Sequence, residues 1–489
     1  MVTKLKINLM RVTEHGLVAE IKEDVVHVTG LTNCMYGQLV KLGNGGQGII
    51  VGFDPDYVLV LIVYQDAPIK PGDKAVTLIE EFKIPVGRTF LGRRVNALAR
   101  PIDGAPPIRE EAYYPLFNQA PAVLERIPLT EVLATGIKIV DMLKPVGKGQ
   151  RMLIVGDRVT GKTALGLSAI LSQHDQNVVC IYCAIGKSEA ALNKVIESFH
   201  ENNAWEYSIL VAAKASDPMG QQYLAPYAAA SLGEYFMHEH GADVLVVFDD
   251  FTKHAWAWRQ ISLLLDRAPG RDAYPGDIFY IHSQLVERAG KLHPDHGGGS
   301  MTHLPIVETL QGNVAGYIPS NIISMTDGQI YMSSPLFAEG FKPAIDMGLS
   351  VSRIGNRVQW DAMKKLTGML QLEFVRYKEL EKLTRIKAGA SGDVGRRLKQ
   401  GRSLEEMLKQ NEHEPVPLQE QVVLLYAFHR GLLKDVDPAR VRTLLSALLR
   451  EVRTRCPGVL ERLKATRELT AQDKEDLDEQ IARFQDSAV

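Results

Sequence analysis

The chain has few cysteines, four in 489 residues, so no disulfide framework holds it together, and a chain of this length buries enough core to need none. The same scarcity points to a reducing compartment. An excess of either charge is also missing. Lys and Arg total 56 against 58 Asp and Glu, a formal net charge of −2, which argues against nucleic acid as the main partner. Long apolar runs are absent as well. Val58–Tyr64 is among the longest, far below the roughly 18 to 20 residues of a membrane span. The N-terminus carries Lys4 and Lys6 and develops no signal-peptide apolar core. These absences predict a soluble, cytoplasmic protein and leave docking on a membrane complex open. With 45% hydrophobic and 23% charged residues the composition is that of a globular protein. At roughly 150 residues per domain, the length predicts about three domains.

Three patterns divide the chain. Up to residue 82, alternating runs such as Leu17–Glu23 and Val25–Gly30, punctuated by Gly43, Gly45, Pro55, Pro71 and Gly72, predict a small β-barrel. From 83 to 357, short apolar runs recur at Met152–Val155, Asn177–Ala184, Ser208–Ala212, Asp243–Phe248, Asp277–His282 and Asn321–Thr326. Helical stretches such as Ala164–Gln173 and Met219–His240 lie between several of them. Read as strands alternating with helices, they predict a parallel α/β sheet with its ligand site at the strand C-terminal ends. From 358 to 489, Trp360–Leu383, Ser403–Gln410, Pro417–Leu433, Pro438–Arg455 and Thr470–Phe484 repeat apolar residues at helical spacing. Ser403 with Glu406 fits a capping box, and Pro438 suits a first helical turn.

The most informative segment is Gly156-Asp157-Arg158-Val159-Thr160-Gly161-Lys162-Thr163, a G-x-x-x-x-G-K-[ST] phosphate loop between an apolar run and a helical stretch. Its glycines let backbone N–H groups close around phosphate oxygens. Lys162 supplies a charge to the outer phosphates, and Thr163 is placed to ligate Mg²⁺. The start of the helix favours an anion. A second run, Val244–Phe248, ends in Asp249 and Asp250, and Asp249 is positioned to hold water on the Mg²⁺ of a bound nucleotide. ATP or ADP with Mg²⁺ is the expected ligand.

Several longer segments resemble the alpha subunits of F-type ATP synthases. They are the phosphate loop itself, Phe248–Ala255, Arg259–Leu265, Pro269–Asp277, Ile323–Gln329 and Pro343–Ser352, and the likeness runs through nearly the whole chain. It implies a β-barrel, a RecA-like nucleotide domain and a helical domain. It also implies alternation with catalytic beta subunits in a hexamer around the gamma central stalk, with peripheral-stalk subunits outside, at the cytoplasmic face of a bacterial plasma membrane. By motif position, Arg353 would reach the neighbouring catalytic site, where a guanidinium stabilises the transferring phosphoryl by about 10³ to 10⁵ in rate. Ser350 matches a position required for activity. In beta subunits a glutamate after the phosphate-loop unit positions the attacking water. Here Lys187 stands in its place, in Cys183-Ala184-Ile185-Gly186-Lys187-Ser188-Glu189, and a cation cannot act as that base. The resemblance therefore implies a regulatory site that binds nucleotide without hydrolysing it, within a complex that couples ATP synthesis or hydrolysis to ion translocation.

The sequence departs from the family pattern at several points. Val159 replaces a glutamine of the loop. Lys342-Pro343 stands for Arg-Pro near the adenine. Gln410 matches an adenine-contacting glutamine, but Glu412 replaces its partner. The start is shorter by roughly a dozen residues, and Lys4–Met10 alternates like a strand. That fits either an alternate, N-type branch or a misplaced start, and it predicts weak delta-subunit binding. Two rival functions remain: a homohexameric export-type ATPase, disfavoured by Lys187, and a Rho-like RNA-tracking hexamer, disfavoured by the charge. Cys180/Cys183, Trp256/Trp258 and the tail Lys474–Glu479 read as packing or solvated surface. His293–Ser300 reads as a Gly-rich loop rather than a metal site.

Overall fold

The computed structural model describes residues 13–78, 81–368, 370–386, 393–434 and 436–488; the alternation at Lys4–Met10 lies outside them. The chain divides into two compact units. One is made of Met1–Ala122 and Val179–Arg288, the other of Val123–Val178 and Ala289–Val489.

Among its described residues the first unit opens with six strands: β1 (Thr13–Lys22), β2 (Val25–Thr29), β3 (Leu39–Leu42), β4 (Gly46–Phe53), β5 (Val58–Tyr64) and β6 (Lys74–Leu78). They close antiparallel in the order β1-β2-β5-β4-β3-β6, with β6 returning to β1. Their inward residues, among them Val18, Val26, Val40, Ile50, Val60 and Ile62, fill the barrel. Closure leaves no free edge for other proteins to pair with. In the turn between β1 and β2, Asp24 accepts a hydrogen bond from the N–H of Met219 at 2.7 Å, at the start of the long helix Met219–Glu239. Gly220 follows, where a Cβ would stand 2.3 Å from the Ile62 carbonyl oxygen, so only glycine fits.

The same unit holds neighbouring strands in the order Asp243–Asp249, Val178–Lys187, Ser208–Lys214 and Arg94–Val95. Val178–Lys187 and Ser208–Lys214 are parallel, and nearly every residue of both is buried. Burial on both faces explains why these strands read as continuous apolar runs. Cys180 and Cys183 are fully buried here, and Trp258 is buried against Tyr223 with ring centroids 4.7 Å apart.

In the second unit the strand Leu153–Gly156 lies between Ser300–Glu308 and Gly328–Met332, parallel to both; Val351–Ser352 adds antiparallel to Gly328–Met332. Among the described residues seven helices follow: Asp361–Thr367, Leu370–Ile386, Asp393–Leu408, Leu418–His429, Pro438–Arg455, Pro457–Thr466 and Ala471–Ala488. Among the described residues no helix is long and apolar enough to cross a membrane. The fold class is the expected one, an N-terminal barrel, an α/β middle and a helical C-terminal region.

Three local expectations are corrected. Asp277–His282 and Asn321–Thr326 are not strands but parts of the helices Ile278–Val286 and Tyr317–Met325. In the first, Ile278, Ile281, His282 and Leu285 are buried, which is helical spacing that a six-residue window cannot separate from a strand. Ser403 is no cap. It lies inside Asp393–Leu408, and its hydroxyl donates to the Lys399 carbonyl one turn back at 3.2 Å. Pro438 does open its helix, with the Asp437 carboxylate accepting from the Ala439 N–H at 2.9 Å.

Candidate nucleotide-binding site

The phosphate loop leaves the fully buried strand Leu153–Gly156 and enters the helix Lys162–Leu171. Its two outer glycines are dictated locally. A Cβ on Gly156 would lie 2.4 Å from the Met332 carbonyl oxygen, and Gly161 adopts φ +94° at the helix start. Inside the loop the Thr160 hydroxyl and the Lys162 ammonium both donate to the Asp157 carbonyl, at 2.8 and 2.5 Å. Thr163 follows in the first helical turn. Val159 is 83% exposed at φ +62°, a strained conformation for a β-branched residue.

Asp157 turns out to be the loop's anchor. One carboxylate oxygen accepts from the Thr309 hydroxyl at 2.6 Å and the Gly312 N–H at 2.8 Å; the other accepts from the Ser334 hydroxyl at 2.9 Å. Burial alone would raise its pKa, but these bonds and the Lys162 charge outweigh it and hold the pKa below the ordinary carboxylate value. Arg158 pairs with Glu308 at 3.0 Å. Sequence reasoning missed Thr309, Gly312 and Ser334, because they lie about 150 residues or more along the chain and share no local pattern with the loop.

Beside the loop opens a cleft lined by Ile137, Leu165, Phe337, Lys342, Pro343, Gln410 and Glu412 among others. The Lys342 ammonium stands 4.7 Å from the centre of the Phe337 ring. Gln410 borders the cleft with its amide already engaged. Its oxygen accepts from the Lys138 N–H at 2.9 Å, and its nitrogen donates to the carbonyls of Gly136 and Glu414 at 2.7 and 2.6 Å.

At the end of the same unit's sheet, the Arg353 side chain is exposed, with no carboxylate within ion-pair distance among the described residues. Its backbone is fixed. The Arg353 N–H donates to the Asp327 carbonyl at 2.8 Å, and the Asp327 carboxylate grips Arg151 through Nε at 3.0 Å and Nη2 at 2.6 Å. The Ser352 hydroxyl accepts from the Gly355 N–H at 3.1 Å. Ser350 is 1% exposed. Its hydroxyl accepts from the Tyr331 N–H at 2.9 Å and donates to the Asp346 carbonyl at 2.6 Å.

In the first unit, Asp249 ends the strand Asp243–Asp249 and Asp250 caps the next helix, accepting from the Lys253 N–H at 2.8 Å. Asp249 is 1% exposed. It accepts from the Tyr182 hydroxyl at 2.6 Å and pairs with the Lys187 ammonium at 2.6 Å. Glu189, in the first turn of the following helix, is exposed and pairs with Lys214 at 3.0 Å.

Two family models match the sequence. The nucleotide-binding domain of the ATP synthase alpha/beta family spans residues 136–352, and the C-terminal domain of the same alpha/beta family spans 359–484. The ATP synthase subunit alpha of Clostridium acetobutylicum is 43% identical over 461 residues, 94% of this chain and 91% of that one. The chain belongs to the ATP synthase alpha subunits. Those of Petrotoga mobilis and Desulforudis audaxviator are 41% and 42% identical, and each match spans 97% of this chain and 94% of theirs. Membership makes the chain one subunit of an ATP synthase complex, with the phosphate loop inside the stretch that matches the family's nucleotide-binding domain.

Proposed function

We propose that this alpha subunit binds ATP or ADP at Gly156–Thr163 without hydrolysing it and lends Arg353 to the catalytic site of a neighbouring beta subunit. The observation that carries this reading is the state of Arg353, an exposed guanidinium with no carboxylate partner among the described residues, on a backbone pinned through Asp327 to Arg151. A guanidinium held this way loses little freedom when it meets a phosphoryl group from outside the chain. Ser350 supports it from below as a positioning residue, tying the segment ahead of Arg353 to the strand Gly328–Met332.

On this reading Lys162 and the loop N–H groups take the phosphates. Lys342, Pro343 and Gln410 border the base, with Lys342 stacked on Phe337. Thr163, the first-turn hydroxyl beside Lys162, is the group that would hold Mg²⁺, which neutralises phosphate charge. By resemblance Lys187 matches the position of the water-activating glutamate of beta subunits, and a cation cannot act as that base, which supports binding without turnover. The partners are beta subunits alternating with alpha, the gamma stalk and the peripheral stalk. The membrane is reached only through the ion-conducting sector, from the cytoplasmic face, in a complex that couples ATP synthesis or hydrolysis to ion transport.

The test is Mg-ATPase activity of the purified chain, alone and reconstituted with its cognate beta and gamma subunits, with Arg353→Ala in parallel. The expected pattern is silence alone, turnover when reconstituted, and a loss of about 10³-fold or more with the variant. Turnover by the isolated chain, or a fully active Arg353→Ala complex, overturns the reading.

A further inference from the structure

The cleft beside the phosphate loop is lined entirely by residues of the second unit. It starts at Thr160 and Gly161 in the loop and continues past Ala164, Leu165 and Ser168 of the helix Lys162–Leu171. From Gly161 to Ser168 a helix rises about 10 Å, which carries the cleft beyond the phosphates to where a ribose and base would lie. Its other walls include Phe337, Lys342 and the run Gln410–Glu412. These walls are tied together, since the Gln410 N–H donates to the Lys342 carbonyl at 3.0 Å.

On these walls both amide side chains are already taken. Gln410 is bonded to Lys138, Gly136 and Glu414. Asn411 donates to the Glu414 carboxylate at 2.9 Å and accepts from Arg442 at 2.6 Å. Two charged side chains are left open. Glu412 is exposed, and among the described residues its carboxylate has neither an ion pair nor a hydrogen bond. Lys342 is exposed as well, with its ammonium 4.7 Å from the centre of the Phe337 ring and no carboxylate within ion-pair distance among the described residues. One cleft is therefore bordered by an anion that only accepts and a cation that only donates.

That combination sorts purines. Guanine presents its N1–H and N2–H donors side by side, a match for the two oxygens of one carboxylate, and its O6 and N7 are acceptors suited to a lysine. Adenine carries a lone pair on N1 where guanine carries a proton. The same carboxylate then gains only an N6–H bond and faces a repelling lone pair, while the ammonium keeps only N7. Hydrogen bonds to ionised groups are stronger than neutral ones, so the difference should survive at groups open to water.

We propose that the cleft reads its base through Glu412 and Lys342, so that this subunit takes guanine as well as adenine nucleotides and favours guanine. The proposal rests on the reading of Gly156–Thr163 as the phosphate site and deepens it by naming the base.

The experiment is equilibrium dialysis of the purified full-length chain against radiolabelled GTP, ITP and ATP in excess Mg²⁺, with Glu412→Gln in parallel. Wild type should bind GTP at least threefold more tightly than ATP, with ITP, which lacks the N2 amine, between them. That comparison needs no variant and so survives any folding defect. Glu412→Gln, whose amide can donate to adenine N1 while accepting from N6, should bring ATP level with GTP or ahead of it. A wild-type guanine preference below threefold, or a preference for ATP, overturns the proposal and leaves the phosphate site standing. A guanine preference that Glu412→Gln leaves unchanged does the same, because the carboxylate is then not the reader. Absence of binding by all three nucleotides overturns the phosphate-site reading itself, and the proposal with it.

Discussion

Replacing Asp157 sets two effects of opposite sign against each other, and their magnitudes decide the outcome. Asp157→Ala removes the acceptor for the Thr309 hydroxyl, the Gly312 N–H and the Ser334 hydroxyl, at 2.6, 2.8 and 2.9 Å. Hydrogen bonds to a charged group contribute about 1.5 to 3 kcal/mol each but do not add fully, and Thr309 is buried, so loss of the anchor weakens the bound-competent loop by about 2 to 4 kcal/mol. Removing a negative charge near bound phosphates acts the other way. At the partly solvated loop this is about 1 kcal/mol. The net is about 1 to 3 kcal/mol against binding, a rise in Kd of about 5- to 150-fold. Asp157→Asn, which keeps one acceptor oxygen while losing the charge, should fall between. Fluorescence titration of the nucleotide reads the effect, and a thermal scan separates loop damage from global unfolding. If both variants bind as tightly as wild type or tighter, Asp157 is not the anchor, and the loop's geometry is set elsewhere.

Two further outcomes concern the first unit. Arg288 and Glu234 form a doubly bonded pair at 2.6 Å with side chains 1% and 0% exposed, so Glu234→Leu or Arg288→Met alone should cost about 3 to 5 kcal/mol in a urea titration and the double variant much less; equal losses for the singles and the double would refute the pairing argument. Burial depresses the pKa of His254 from 6.5 to about 4, and that of the adjoining His282 well below its usual value, so the unfolded chain takes up protons that the native state refuses. Stability from His254 is thus full above pH 6.5 and is lost as pH falls towards 4, by about 3 kcal/mol, and a thermal midpoint that stays flat between pH 6.5 and 4.5 would contradict this.

What the sequence made legible is what physics writes locally. The phosphate loop needs a tight turn, a positive φ at Gly161 and a cation at the next position, all within eight consecutive residues, so its chemistry reads directly from order. The barrel was legible because a closed sheet filled from one face imposes a two-residue alternation on strands such as β2. Where the local signal is weak, the reading failed. The strand Ser300–Glu308 carries Ser300, Thr302, His303 and Pro305, so no apolar run marks it, yet all its residues up to Val307 are buried. The helix Ile278–Val286 was the converse error, a short apolar run whose helical period shows only when Leu285 is included.

The site itself divides along the same line. Lys187 was noticed as a departure at one position, but what it does depends on Asp249 and Tyr182, respectively 62 and 5 residues away, and on a bulge at Gly186 that no periodicity announces. Likewise Ser350 matched a position required for activity, and only the fold shows its hydroxyl buried between the Tyr331 N–H and the Asp346 carbonyl, where it holds backbone. Gln410 matched an adenine-contacting position, and only the fold shows its amide bonded to Lys138, Gly136 and Glu414. In each case the residue type was legible and its partners were not, because hydrogen-bonding capacity is finite and only the fold decides which partner takes it. By that rule the side chain best placed for work outside the subunit is one the fold leaves open. Of the two catalytic candidates, Arg353 is the exposed one without an ionic partner among the described residues, and its backbone alone is tied down.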